Sequence, residues 1–179
     1  GGRKQEISRI LPDMLAMIPR FPDYSFVIAG APTFSIDYYT EYMQTGKAPV
    51  VFNATYDLLL NAEAAIVASG TATLETALLN VPEVVVYKGN RVTIGIARLL
   101  VKIRFISLVN LIMDRGVVKE LIQEDCNPGK ISEELDLLLH NQLYRQKMLN
   151  DYADLAEKMG EPGASEKAAA AVVKELKTN

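Results

Sequence analysis

The chain has 179 residues, 49% hydrophobic and 23% charged, which suits one ordinary globular domain with a sizeable core and speaks against disorder. A net charge of -3, from 19 basic and 22 acidic residues, argues against a general nucleic-acid binder while leaving room for a local basic patch. The single cysteine, Cys126, and single histidine, His140, allow no internal disulfide, redox pair, cysteine-based zinc site or His-Asp-Ser triad. No stretch approaches the length of a membrane span, and a reducing compartment fits the cysteine usage.

Gly1-Gly2-Arg3-Lys4 opens without Met and runs almost directly into a helical pattern, so a piece of a longer protein is expected, with the domain edge just before it. Ile7, Ile10, Leu11, Met14, Leu15 and Ile18 form one apolar helix face, and Pro12 within it predicts a kink or two abutting helices. A strand is expected at Tyr24 to Ala29, a helix at about Ser35 to Gln44 and a turn at Thr45-Gly46-Lys47. A short strand at Val50 to Phe52 follows, then a brief helix to Asn61 capped by Asn53 or Thr55.

The next stretch is the most legible. Ala64 to Ala68 is a short apolar run of strand length, Ser69-Gly70-Thr71 a small polar turn, Ala72 to Asn80 a helix ending before Pro82, and Glu83 to Tyr87 a second strand. Lys88-Gly89-Asn90 then turns into a helix at about Val92 to Lys102. Phe105 to Leu108 reads as extended, Asn110 to Arg115 as irregular, and Val117 to Gln123 as one or two helical turns. Asn127-Pro128 starts a helix to about His140. Two longer helices close the chain, with stripes Tyr144, Met148, Tyr152, Leu155, Met159 and Ala164, Ala168, Val172, Leu176. Strands alternating with helices in this way imply a doubly wound, Rossmann-like α/β fold with a parallel sheet covered on both faces. Residues 1–140 make its main body and residues 141–179 form helices that pack back or exchange with a partner. Ligands in such sheets bind at the carboxyl edge, where three corners meet: Gly30 to Thr33, Ser69 to Thr71, and Lys88 to Arg91.

Ser69-Gly70-Thr71 is the best candidate for a phosphate site, since the glycine allows close approach to a helix N-terminus and the hydroxyls can donate. On the tripeptide alone, a simple helix cap by Ser69 or Thr71 is the leading reading. Glu75, one turn on, has the chemistry to hold ribose hydroxyls, although a solvated helix glutamate would look the same. Arg3 and Lys4 oppose the dipole of the helix they precede, as if an anion were expected nearby; a frayed terminus is the bland alternative. Asn110, Asp114, Arg115, Lys119, Glu120, Gln123, Glu124 and Asp125 form a polar cluster interleaved with Val117, Val118, Leu121 and Ile122, and the residues alone favour an exposed amphipathic helix. Arg91, Arg98, Lys102 and Arg104 sit among apolar residues that go nearly all round, which favours burial over a membrane-surface helix. His140 is expected to complement a helix dipole and Cys126 to be a buried small side chain.

Taken together, Gly1-Gly2-Arg3-Lys4-Gln5-Glu6-Ile7, Ala68 to Glu75, Ser107 to Leu111, and Arg115 followed by Val118 to Glu124 resemble lipid-A-disaccharide synthase, a GT-B glycosyltransferase family. The likeness covers nearly the whole chain but only the family's C-terminal, donor-binding half. The family usually reads Gly-Ser-Arg where this chain has Gly1-Gly2-Arg3. The resemblance implies a hexosyltransferase that moves 2,3-diacylglucosamine from UDP to 2,3-diacylglucosamine 1-phosphate without metal or cofactor. It implies work in the cytoplasm at the periphery of the inner membrane of a Gram-negative bacterium. Its implied partners are the UDP-linked donor, the lipid acceptor, the N-terminal half of its own chain and a swapped homodimer, with no nucleic acid. On this resemblance Arg3 lies near the diphosphate, Ser69, Gly70 and Thr71 form the phosphate corner, and Glu75 holds ribose. Asn110, Arg115, Glu120, Gln123 and Glu124 line the donor site, in place of the exposed helix. The general base is expected in the N-terminal half, so this piece alone should bind UDP weakly and catalyse nothing.

Other GT-B enzymes, such as a UDP-N-acetylglucosamine epimerase or the peptidoglycan N-acetylglucosaminyltransferase, share the corner and the helix glutamate but not the pattern from Asn110 to Glu124. A dimerisation module is a further alternative. An NAD domain is a poor one, because no G-x-G-x-x-G follows a strand.

Overall fold

The fold is seen in a computed structural model that describes residues 3–43, 47–89 and 104–160. Its strands are β1 (Ile28–Gly30), β2 (Val50–Phe52), β3 (Ala65–Ala68), β4 (Glu83–Tyr87) and β5 (Lys119–Ile122). Its helices are α1 (Lys4–Leu15), α2 (Ile36–Thr40), α3 (Thr55–Leu60), α4 (Thr71–Leu78), α5 (Leu108–Met113), α6 (Pro128–His140) and α7 (Gln142–Met159). Every pairing is parallel, in two sheets: β1 with β2, and β3-β4-β5 in that order. Helices cover both faces of the larger sheet, α1 and α6 on one side and α4, α5 and α7 on the other, so the α/β, Rossmann-like architecture is as expected.

β4 is the centre. Val84, Val85 and Val86 are wholly buried, because a strand paired on both edges and covered on both faces reads as a continuous apolar run. Met148, Tyr152 and Leu155 of α7 join the same core. Gly30 is required by packing: a Cβ there would lie 2.5 Å from the Phe52 ring. The second closing helix, the helix expected at Val92 to Lys102 with Arg91, Arg98 and Lys102, and most of the turn at Thr45 to Lys47 lie outside the described residues.

Several local expectations are corrected. α1 runs as one helix through Pro12, which is exposed near its C-terminal end. β1 begins only at Ile28, and α3 is capped by Ala54 without a side-chain bond rather than by Asn53 or Thr55. Leu108–Met113 is helical rather than extended or irregular, since Ser107 caps it by accepting a hydrogen bond from Asn110 N at 3.2 Å. The helical turns expected at Val117 to Gln123 are instead β5 and a 3-10 turn at Gln123–Asp125. The apolar spacing there suits either state, and the buried backbone of β4 decides it by needing a partner on its second edge.

Candidate functional site at the carboxyl edge of the sheet

Ser69 leaves β3 with its N–H donating to Val86 O at 3.1 Å and its hydroxyl donating to Ile106 O at 3.1 Å. Gly70 is the N-cap of α4, and nothing lies within 4 Å of where its Cβ would be, so the space over the corner is open. Thr71 is exposed at the first helical position, while Thr73 and Thr76 turn their hydroxyls back onto Gly70 O and Ala72 O. Neither Ser69 nor Thr71 caps the helix, which contradicts the bland reading of the tripeptide. The first-turn N–H groups of α4 and its positive dipole end therefore face the carboxyl edge. Glu75 is half-buried one turn on, and its carboxylate makes no hydrogen bond among the described residues.

Beside this corner is a cleft of about 540 Å³ lined by Arg9, Lys88, Gly89, Gln123, Glu124, Cys126 and Asn127. Ser69 stands one residue beyond the Ala68–Val86 pair and Gln123 one beyond Tyr87–Ile122. Two strand spacings thus separate the corner from the cleft wall, on the order of 10 Å. Lys88 is paired with Asp13 of α1. Arg9 is exposed one helical turn earlier and has no ion pair among the described residues. Gln123 holds a left-handed φ of 56° and its amide donates weakly to Gly89 O at 3.4 Å. A non-glycine residue in that conformation is strained, and strain at a strand end in a cleft is a mark of functional sites. Cys126 is buried, and burial pushes its thiol up, so it is a packing residue as expected. A more open hollow of about 460 Å³ at the α6–α7 turn includes Asp136, Leu143 and His140. There His140, the last residue of α6, bonds Asp136 at 2.9 Å, away from the strand ends.

Behind the corner lies a closed polar network. The Glu120 carboxylate accepts from Ile106 N at 3.0 Å, Ser107 N at 2.9 Å, Ser107 Oγ at 2.8 Å and Asn110 Nδ2 at 2.8 Å. Asn110, 1% exposed, also donates to Val118 O and accepts from Val117 N and Val118 N. Both amide atoms of Asn110 are fully occupied by protein. Through Ile106 this network holds the Ser69 hydroxyl, so it fixes the shape of the corner. Arg115 instead pairs with Asp151 and Asp154 of α7. Burial pulls the Asp151 carboxyl upward, but Lys147 and Arg115 hold it below its ordinary value.

Arg3 is the N-cap of α1 with an 85% exposed side chain, 3.8 Å from Glu6. The structure thus gathers Ser69, Gly70, Thr71, Glu75, Gln123 and Glu124 along the carboxyl edge, puts Asn110 and Glu120 behind it, and turns Arg115 to α7. Arg9 was not legible as a site residue: a lone basic residue on an amphipathic helix has the spacing of any solvated charge. Lys88 was legible only as part of a turn.

The family model for lipid-A-disaccharide synthetase matches residues 1–174. The chain belongs to that family. It is 36% identical over 171 residues to a lipid-A-disaccharide synthase of Anaeromyxobacter dehalogenans (strain 2CP-C), covering 92% of this chain and 45% of that protein. The counterpart from Myxococcus xanthus (strain DK1622) is 36% identical over 182 residues, covering 98% of this chain and 48% of that protein. For Rhodospirillum centenum (strain ATCC 51521 / SW) the identity is 32% over 169 residues, covering 90% and 42%. The chain therefore spans about half the length of these curated relatives. Among the described residues no helix is long and apolar enough to cross a membrane, and no group of three or more His, Cys, Asp or Glu is arranged to hold a metal ion.

Proposed function

We propose that this chain is the donor-binding half of a lipid-A-disaccharide synthase. In this reading the whole protein transfers 2,3-diacylglucosamine from UDP to 2,3-diacylglucosamine 1-phosphate and releases UDP. The observation that carries it is the open N-terminus of α4 above Gly70, beside a cleft bearing Arg9 and Lys88. UDP departs as an anion, and fixed N–H dipoles with nearby cations stabilise the charge that develops on it without rearranging. The α4 N–H groups and Thr71 take the phosphates, with Arg9, Arg3 and Lys88 as the cations. Glu75 takes the ribose hydroxyls, and Gln123 with Glu124 forms the opposite wall. Asn110 and Glu120 act as positioning residues, since their polar atoms are already engaged with protein. Arg115 holds α7 in place from the far side.

The acceptor's general base belongs to the other half of the protein in this reading, so the chain alone binds UDP without turning it over. Calorimetric titration tests it, with weak binding expected near millimolar UDP; a flat titration at several millimolar overturns donor binding by this chain. Attachment to the cytoplasmic face of the inner membrane and exchange of C-terminal helices between two copies belong to the same proposal. Sedimentation of the chain tests the latter, and a strict monomer at high concentration counts against exchange.

A further inference from the structure

At the end of the sheet opposite the corner, α7 covers two buried acids. Glu83, the first residue of β4, is wholly buried, and neither of its carboxyl oxygens has a hydrogen-bond partner; the same is true of Tyr152 Oη on α7. After burial itself, the Glu83 carboxyl is the strongest influence on that hydroxyl, so the two groups face each other. The second acid is Glu134 of α6, 6% exposed, which accepts a hydrogen bond from Tyr144 Oη at 2.5 Å. Tyr144, Met148 and Tyr152 follow at intervals of four and share one face of α7. A single helix face thus sets a phenol against each acid.

The cations nearby are engaged with other groups. Lys119 of β5 is exposed and eases the charge of Glu134, while Lys147 and Arg115 hold Asp151, the neighbour of Tyr152. Among the described residues, no charge from α1, α4, α6 or β5 acts on Glu83, and its partner in register on β3 is Ala65. A carboxylate there would need water or a counter-charge, so Glu83 keeps its proton while α7 is docked. Burial raises Glu134 too, against the Tyr144 bond and Lys119.

α7 is the cover that can lift. β4 is fixed by a strand on each edge, whereas the remaining ties of α7 are half-exposed: Arg115 to Asp154, Arg145 to Glu63 and Lys158 to Ile112 O. Elements held by solvent-exposed polar bonds are the ones that open locally.

We propose that α7 is a proton-dependent clasp, closed over Glu83 and Glu134 while both carry protons; loss of the Glu83 proton admits water beneath Tyr152 and lifts the helix from β4. The folded value of Glu83 lies above its value in the open form, near 4.5, so the closed form binds more protons. Opening therefore grows as pH rises from 4.5 toward the folded value, by up to about tenfold per pH unit for one proton. The seam lies away from the corner, and the inference does not depend on UDP binding.

Amide hydrogen exchange followed by NMR, corrected for the pH dependence of intrinsic exchange, tests this on the chain itself. Met148, Tyr152 and Leu155 should open more often than Val85 of β4, and at least threefold more often for each pH unit between about 5 and 7. Exchange of these amides only together with Val85 would overturn the clasp, because the helix would then leave only in global unfolding. Opening independent of pH would overturn it as well. Glu83→Gln keeps the shape of the side chain without its proton and should reduce the slope, and adding Glu134→Gln should flatten it; a slope that survives in the double variant sinks the proposal. The carbon-13 shift of the Glu83 carboxyl needs no variant. It should report a protonated acid at about pH 6, and an ionised one there rejects the clasp.

Discussion

Two polar regions of this protein lie within a few residues of each other at the end of the same sheet and are built on opposite principles. In the network of Ser107, Asn110 and Glu120, every polar atom has a protein partner and Asn110 is sealed from water. Along the corner and cleft, Thr71 is exposed, the Glu75 carboxylate makes no hydrogen bond among the described residues, and the space above Gly70 is open. A saturated network makes a rigid mount, whereas groups left facing water can exchange that water for a ligand. The density of polar residues between Asn110 and Glu124 is thus divided between a mount and a wall.

The sharpest way to break this division is Glu120→Ala. It leaves two backbone N–H groups, a hydroxyl and an amide without their acceptor, so stability should fall by about 3 kcal/mol or more in urea denaturation. A loss under ~1 kcal/mol would place Glu120 among the exposed wall residues instead. Asn110→Ala should behave alike.

A smaller effect of opposite sign is expected at Glu83, where β4 begins. Both its carboxyl oxygens are buried without a hydrogen-bond partner, as is Tyr152 Oη, and burial holds the carboxyl well above its ordinary range. With the folded value raised, the contribution of Glu83 is complete below the unfolded value, near 4.5, and is lost as pH rises toward the folded value. Glu83→Gln should therefore be more stable than the parent at neutral pH, with the difference closing as pH falls toward 4.5. Denaturation midpoints at several pH values measure it, and a difference independent of pH would rule out ionisation as the cause.

Glu75→Ala should leave stability unchanged and weaken UDP about tenfold, or ~1.4 kcal/mol; titration that finds equal affinity removes Glu75 from the ribose site. The mildest change is Arg115→Ala. Its guanidinium is 41% exposed and Lys147 still faces Asp151, so a loss of about 1 kcal/mol in stability with little change in UDP affinity is expected. A large loss of UDP affinity at unchanged stability would move Arg115 from the mount to the wall.

Much of this was legible beforehand for identifiable reasons. Val50 to Phe52, Ala65 to Ala68 and Glu83 to Tyr87 announce themselves as short apolar runs between turns, and Asn127-Pro128 as a capped helix start. The segment from Phe105 to Gln123 departs from its expected structure because its cap is the single Ser107 and because Val117, Val118, Leu121 and Ile122 suit a helix or a strand equally. Tyr24 to Val27 has strand composition but lies outside β1. Among the site residues, the corner was visible as Ser-Gly-Thr between strand and helix. Arg9 was not, because its significance comes from Lys88 and Gln123 brought beside it from distant positions.

The sequence by itself determined the alternation of strands and helices, the parallel sheet and the resemblance to a glycosyltransferase family, since these follow from local periodicity, turn chemistry and motif spacing. Only the tertiary structure decided that Lys119 to Ile122 joins a strand, that Glu120 and Asn110 face inward, and that Arg115 turns to α7. Those outcomes depend on which buried backbone and charges lack partners, a condition that exists only once distant segments have met.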